Sequence, residues 1–525
     1  MLSYNLEASL RSGCYTLESP RRSGVPPAGS LLTTIALDLS SCLQIEFTLE
    51  GNKEEVSAML RLAPFCLLLI AAAIAPLNAS AAEKPAFRAG AAMADITPPL
   101  GELVVGNWVP IPAQHIHDPL HAKCLILDDG KNRIGFVVCD NVGISREIWD
   151  EAREQVDQAG AIAGENLLMS ATHTHSATRA TSEKYRPILV AGIVKAVAEA
   201  IENLEPAKIG WGSGEEPSEV FNRRWHIGDE KQRRNPFGGV DMVRMNPPSG
   251  HPTLIKPAGP VDPEISFISV QSIDGRPISL LANYSLHYVG GVGKGEVSAD
   301  YFGVFSERIG ELLKATDSDK PFVGILTNGT SGDVNNINFR DRGRPYKPYE
   351  KMTEVAHKVA DKVIDAHAKI EFQEWVPLSV AHRDLTLKVR KPDAAMQEYF
   401  ASIEALPEGA EVYHRHQKTY AGRVKRLLEG PDQWDVLLQA VRIGDLAIAA
   451  IPFEVFTQIG LDIKQKAPYG DAFTIELANG GYGYLPTPAQ HKLGGYETWM
   501  GTNRVQLDAS DRITETLLEL MQDLK

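Results

Sequence analysis

The sequence has little cysteine, no long apolar run and no excess of positive charge. Five cysteines in 525 residues exclude a scaffold built on disulfides. The apolar run from Cys66 to Ala75 falls well short of the roughly 20 residues a bilayer span needs, so no transmembrane segment is expected. Fifty-three basic against 67 acidic residues leave a formal charge of −14. Such a surface repels phosphate backbones, and nucleic acid is not an expected partner. Internal repeats, low-complexity tracts and linkers are also missing, which argues for one large domain. What remains is 43% hydrophobic and 23% charged, an ordinary globular composition with ample chain for a core.

The first 82 residues read differently from the rest. From Met59 the order is Met-Leu-Arg-Leu-Ala-Pro, then the apolar run, then Ala79-Ser80-Ala81. One basic residue, a short apolar core and a small-x-small site describe a secretory signal peptide. The expected organisation is residues 1–58 as an over-extended reading frame, 59–81 as signal peptide and 82–525 as a secreted or periplasmic catalytic domain. All 14 histidines fall in that last part, with only Cys124 and Cys139 of the cysteines. The two thiols are expected as small buried hydrophobes rather than as a disulfide.

Strand and helix patterns alternate, as in an α/β domain of mixed α+β layers. His121–Leu127 and Arg133–Cys139 flank a hairpin turn, and Ser145 caps a helix to about Gln158. Leu167–Ala171 reads as a buried strand and Pro187–Asn203 as a helix. Further strands are expected near 264–270 and 278–286, at Phe322–Thr327 and at Leu446–Ile451, the last entering a helix near Glu454. Helices are expected at about 300–314 and 503–523. Residues 214–263, rich in Pro, Gly and Arg, read as a long loop.

Several strand ends carry residues suited to chemistry. Ala171-Thr172-His173-Thr174-His175-Ser176 follows a buried strand, and in extended backbone residues i and i+2 share a face. Both imidazoles could then meet one ion or substrate. His287 lies at another strand end, in Ser285-Leu286-His287-Tyr288. Glu454 ends an apolar strand, where a carboxylate needs a partner or a metal. Asn479-Gly480-Gly481-Tyr482-Gly483-Tyr484 is a glycine-rich turn followed by Tyr496-Glu497. The run Asn328 to Asn336 has no Gly-Lys-Ser/Thr and is not a phosphate-cradling loop. A rival metal cluster is His115-Ile116-His117-Asp118 with His121, which has the same His-x-His spacing but follows a Pro-rich loop. The basic stretch Arg223, Arg224, Lys231, Arg233 and Arg234 is either a solvated loop or a rim that attracts an anionic group.

Taken in order, Ala94-Asp95-Ile96-Thr97-Pro98, Thr172-His173-Thr174-His175-Ser176, Asn222-Arg223, His287, Gly332-Asp333-Val334, Glu454 and the Tyr484…Tyr496 pair resemble the neutral/alkaline non-lysosomal ceramidases. The resemblance spans about residues 88–510. It implies a zinc amidase domain that cleaves the N-acyl bond of a sphingolipid-like lipid substrate. His173, His287, Glu454 and Tyr484 would ligate one Zn²⁺, with His175, Arg223 and Tyr496 around the scissile carbonyl. Two departures stand out. Asn335 replaces the serine that follows Gly-Asp-Val in the family, so direct attack by zinc-activated water is expected in place of an acyl-enzyme. The chain also ends soon after Tyr496, where the family's immunoglobulin-like domain would follow. The competing expectations are a zinc hydrolase of another amide or ester on the same scaffold, and a non-catalytic binding protein.

Overall fold

The structure, a computed structural model, describes residues 86–525 except 107, 316–319 and 408, together with the short strands Cys14–Tyr15 and Ile35–Ala36. The expected signal peptide at 59–81 lies outside the described residues. The chain divides into two units, Met1–Lys84 and Pro85–Lys525. In the first unit, Cys14–Tyr15 pairs antiparallel with Ile35–Ala36.

The second unit is built on two sheets. The larger contains β1 (Arg88–Asp95), β2 (His121–Asp128), β3 (Arg133–Cys139), β4 (Leu167–Ala171), β5 (Glu205–Glu215), β6 (Glu264–Ser272), β7 (Pro277–Tyr284) and β8 (Val323–Asn328). Their order across the sheet is β8-β7-β6-β5-β1-β2-β3-β4. The smaller sheet runs β9 (Leu378–Lys388), β10 (Gln433–Ile443), β11 (Leu446–Ile451) and β12 (Asp471–Glu476) in sequence order. Three times an antiparallel hairpin is followed by a crossover to a parallel strand: β2-β3 to β4, β6-β7 to β8, and β10-β11 to β12. A helix makes each crossover: α1 (Arg146–Ala159), α3 (Asp300–Leu312) and α7 (Thr457–Lys466), while α2 is Arg186–Glu202, α4 Glu350–His367, α5 Ala394–Glu404, α6 Gln417–Glu429 and α8 Ala509–Asp523.

The helices' apolar spacing decides where they lie. Ile148, Trp149, Ala152 and Val156 make one buried face of α1, the stripe expected at a 3.6-residue period. That stripe packs with α2 on the outer face of the large sheet. Helices α3 and α4 cover the other half of the same sheet, and α7 with α8 covers the small sheet. Between the sheets, Leu125, Leu127, Phe136 and Val138 meet Val441, Ile443, Ile448 and Phe473. The result is a four-layer α/β/β/α sandwich, within the α/β class of mixed layers that the alternating pattern implied. Cys124 and Cys139 sit buried as free thiols on the other face of the large sheet, in the layer packed against α1 and α2.

Three expectations need correcting. The 214–263 loop folds into a small sheet in which Arg224–Ile227 pairs with both Val243–Met245 and Leu254–Pro257. These strands are too short to register as periodicity. The last helix begins at Ala509, because the residues before it extend alongside β9, with Val505 bridging Val389. The helix after β11 begins at Thr457, and Glu454–Val455 is a short strand instead.

Candidate metal centre

The parallel strands discharge at one end of the sandwich, where open sheets place their ligand sites. The His173/His175 pair follows β4, His287 follows β7, Ser331 follows β8 and Glu454 follows β11. Asn479, just beyond β12, ties the two sheets together there: its N–H donates to Met169 O at 2.7 Å and its side-chain amide to Gln439 Oε1 at 3.0 Å.

At this end three imidazoles converge. His173 Nε2 lies 3.1 Å from His287 Nε2 and 3.1 Å from His175 Nε2. Glu454 Oε2 is 3.5 Å from His173 Nε2 and 3.9 Å from His287 Nε2, and it has no hydrogen-bond partner among the described residues. Two of the three far ring nitrogens face hydrogen-bond acceptors. His173 Nδ1 faces Val142 O at 2.5 Å, and His287 Nδ1 faces Ser331 O and Oγ, each at 3.2 Å. With the Nδ1 protons donated outward, the Nε2 lone pairs aim at one another. Lone pairs so arranged repel unless a cation sits between them. The spacing suits one: four donors about 2.0–2.1 Å from a tetrahedral ion stand roughly 3.3 Å apart.

Backbone conformation, not strand alternation, brings the pair together. His173 has φ 71°, a left-handed conformation uncommon for a side chain of this size and typical of functional sites. Its N–H is held by Asn141 O at 2.8 Å. The extended-backbone argument therefore reached the right pair for the wrong reason. His175 is half-buried and stacks on Tyr288, ring centroids 3.7 Å apart. A Cβ on Gly106 would lie 2.7 Å from the His175 ring, so only glycine fits there.

Electrostatics divide the three rings. Burial lowers the pKa of His173, but the adjacent Glu454 carboxylate outweighs it and holds the ring above its usual value. Burial drives His175 and His287 well below theirs, with His173 adding repulsion. Both are neutral at pH 7 and keep a free lone pair.

Glu454 pairs in register with Tyr484, which sets the phenol beside the carboxylate and beneath Arg223, whose guanidinium carbon is 5.4 Å from the ring centre. Arg223 is fixed by Glu497 Oε1 at 2.9 Å and Gly332 O at 2.9 Å. Burial lowers its pKa, yet Tyr484 and Glu497 hold it far above its ordinary value. Glu497 also takes Arg224 Nη1 at 2.7 Å and is wholly buried between the two guanidiniums. Tyr496 stands 5.7 Å from the Tyr484 ring in an edge-on arrangement.

The Gly332-Asp333-Val334 turn acts as a frame. Gly332 N–H donates to Val455 O at 2.8 Å, and a Cβ there would meet Glu454 O at 2.6 Å. Asp333 accepts from Thr457 N at 2.8 Å and Asn222 Nδ2 at 2.9 Å, while its carbonyl takes Arg223 N at 2.8 Å. Asn335 bonds locally, donating to Asn246 Oδ1 at 2.8 Å and accepting from Ile337 N at 3.0 Å. Ser331 supports His287 from behind and donates to buried Glu476 at 2.5 Å.

Of the residues expected in the site, His173, His175, His287, Glu454, Tyr484, Arg223 and Tyr496 come together. Asn335 is tied to Asn246 instead. Among the described residues, His173, His175 and His287 form the one group of three or more His, Cys, Asp or Glu side chains spaced to hold an ion. The rival His115/His117 pair is exposed and is not part of such a group. Sequence reasoning missed Tyr288, Glu497, Ser331 as a support and Gly106. Only Glu497 carried a signal, as an acid directly after Tyr496 and two and three positions from a glycine pair.

A layered α/β domain with an imidazole and carboxylate cluster at its strand ends is the class of protein that fold and site define. Comparison with known proteins then narrows it. Residues 87–341 match the family model described as neutral/alkaline non-lysosomal ceramidase, N-terminal. That match contains all three histidines, Arg223 and the Gly332 turn, and the resemblance read from the sequence holds there. Neutral ceramidase A of Dictyostelium discoideum is 22% identical over 281 residues, covering 48% of this chain and 36% of that protein. The chain thus spans about a third of that relative's length. The crystal structure of neutral ceramidase from Pseudomonas aeruginosa is similar with a TM-score of 0.63 at 17% identity, over 84% of this chain and 75% of that one. A solved structure described as ceramidase complexed with C2 matches with the same figures. At this identity the likeness is one of fold.

Proposed function

We propose that this chain is a zinc-dependent hydrolase of linear amides, built like a neutral ceramidase and cleaving an N-acyl bond. The observation that carries this reading is the convergence of three imidazole Nε2 atoms and the unpartnered Glu454 Oε2 on one buried point. His173, His287 and Glu454 are the proposed core of the ligand set, with His175 and Tyr484 the two further donors beside them. Zinc bound there would supply a Lewis acid for the scissile carbonyl and acidify a water ligand.

The chain's own groups do the rest. Arg223, fixed by Glu497 and Gly332 O, presents a permanent positive charge beside Tyr484, suited to the oxyanion that develops on the acyl carbonyl. Tyr496, in the wall of the same cavity, can donate a hydrogen bond to the same oxygen or to the departing amine. Asn335 lacks a nucleophilic atom, so no acyl-enzyme forms at that position, and its amide is engaged with Asn246. Export is part of the same proposal and rests on the segment that follows Met59. Among the described residues, no helix is long and apolar enough to cross a membrane.

The test is metal analysis of the purified protein followed by a turnover screen over N-acyl amides and matched esters. About one zinc per chain and amide cleavage are expected. Zinc-loaded protein that cleaves neither class would favour the non-catalytic alternative.

A further inference from the structure

The proposed centre opens into a cavity of 730 Å³ whose wall includes Glu454, Tyr484 and Tyr496. Four arginines line it: Arg179, Arg423, Arg426 and Arg504. A second cavity, of 380 Å³, shares Tyr496 and is lined by Lys231, Arg233, Arg234, Arg244 and Arg415. Each cavity has a single carboxylate, Glu454 in the first and Asp241 in the second. Asp241 is already taken by Asn235 at 2.9 Å and Trp499 at 2.7 Å.

Among the described residues, none of these nine cations forms an ion pair. Other arginines of this acidic protein do pair, Arg133 with Asp128, Arg186 with Glu151, Arg276 with Glu205 and Arg383 with Glu519, and Arg390, Arg442 and Arg512 donate to backbone carbonyls instead. In a chain with net charge −14, unpaired cations gathered at one entrance are a deliberate field. Arg423 is also held in place, its guanidinium 5.5 Å from the Trp108 ring and 5.0 Å from that of Tyr420. Burial and the neighbouring Arg423 and Arg426 push Arg504 below its usual value, outweighing the Glu454 carboxylate that opposes them. Aliphatic lining is sparse: Leu427 is the one aliphatic side chain in the wall of the larger cavity, beside the rings of Trp434, Tyr484 and Tyr496.

We propose that the substrate is an N-acyl compound carrying an oxyanion, a carboxylate or a phosphate, on the part seated against Arg423 and Arg504. An uncharged two-chain sphingolipid would bring those guanidiniums no anion; Arg423 otherwise donates to the hydroxyls of Tyr420 and Thr502. This deepens the hydrolase reading and rests on it for the position of the scissile bond. Guanidiniums match the planar geometry of carboxylate and phosphate oxygens and bind them by paired hydrogen bonds.

The experiment uses the full, zinc-loaded chain and two matched pairs. N-lauroylphosphoethanolamine is compared with N-lauroylethanolamine, and N-lauroylglutamate with N-lauroylglutamine; the two pairs separate phosphate from carboxylate. Inorganic phosphate binding is measured separately by calorimetry. At least one anionic amide should exceed its neutral partner in kcat/KM by about tenfold or more, the worth of one charge-assisted contact. The Arg423→Gln/Arg504→Gln double variant should erase that ratio through KM and weaken phosphate binding by a similar factor. Arg383→Gln, at an arginine that lines neither cavity and pairs with Glu519, should change neither. Equal rates on both members of each pair, with a variant that behaves as wild type, would overturn the proposal and leave the hydrolase standing. If no amide is cleaved the hydrolase reading fails, and phosphate binding then decides the anion site alone: lost in the double variant it supports the site, unchanged it removes it.

Discussion

His115-Ile116-His117 and His173-Thr174-His175 share one spacing and differ in everything around it. The first pair lies on the surface. His115 faces Glu296 at 3.8 Å, and His117 stacks on Tyr349 and meets its neighbour Asp118 at 2.7 Å. The second is enclosed where a parallel strand ends, with a left-handed residue turning one ring inward and a third imidazole arriving from another strand. Each surface ring has water or a carboxylate to satisfy it. The enclosed Nε2 atoms have only one another, Glu454 and whatever the site binds. Spacing makes two histidines available to an ion, and the fold decides whether a third and fourth donor meet them.

The strongest way to break this comparison is to delete one member of each cluster. His173→Ala or His287→Ala should lower amide hydrolysis by about a thousandfold, several kcal/mol of lost metal assistance. His115→Ala and His117→Ala should stay within about twofold, as expected for surface changes. Comparable losses in both sets, read from initial rates, would erase the distinction.

A second route attacks the frame that the enclosed cluster has and the surface pair lacks. Glu497→Gln leaves Arg223 and Arg224 buried with less than their compensating charge and should cost about 3–5 kcal/mol in denaturant unfolding. A loss under about 1 kcal/mol, the range of an exposed pair, would mean that this carboxylate is not a structural tie.

Smaller effects sharpen the contrast. Ser331→Ala removes the group behind His287 and should weaken zinc affinity about 10- to 100-fold, whereas Tyr349→Ala, beneath His117, should leave it unchanged. Competition with a chromogenic chelator reads both. The gentlest effect is on pH dependence. Burial pushes the Glu476 carboxyl up to about 8 from 4.5, against the opposing Ser331 hydrogen bond. The folded state then holds a proton that the unfolded state has released, so its contribution is whole below about pH 4.5 and is lost as pH rises toward 8. Metal-free protein should lose stability across that window, and Glu476→Gln should flatten the decline; an unchanged slope in the variant would assign it to other groups.

How much of this was legible in the sequence follows from what each residue needs. His173, His287 and Glu454 could be found because each ends a buried strand, where a polar side chain needs a reason to be. The layered α/β class followed from alternating patterns, with Leu167–Ala171 and Leu446–Ile451 recovered to the residue. Strand β9 escaped notice because its residues alternate between half-buried and exposed along most of its length, leaving no apolar run. Tyr288 and Ser331 matter only through a stacking and a hydrogen bond across the chain, and no local pattern encodes either. The arginines of the larger cavity come from residues 179 to 504. The basic stretch at 223–234 pointed toward an anion-attracting rim, but only folding shows that Arg423 and Arg504 share its entrance region.

The most direct test of the central claim is zinc content, measured by mass spectrometry on the wild-type chain and two double variants. The account predicts about one zinc per chain in wild type and in His115→Ala/His117→Ala, and none in His173→Ala/His287→Ala. Zinc retained by the second variant, or lost from the first, would place the metal elsewhere and contradict the account.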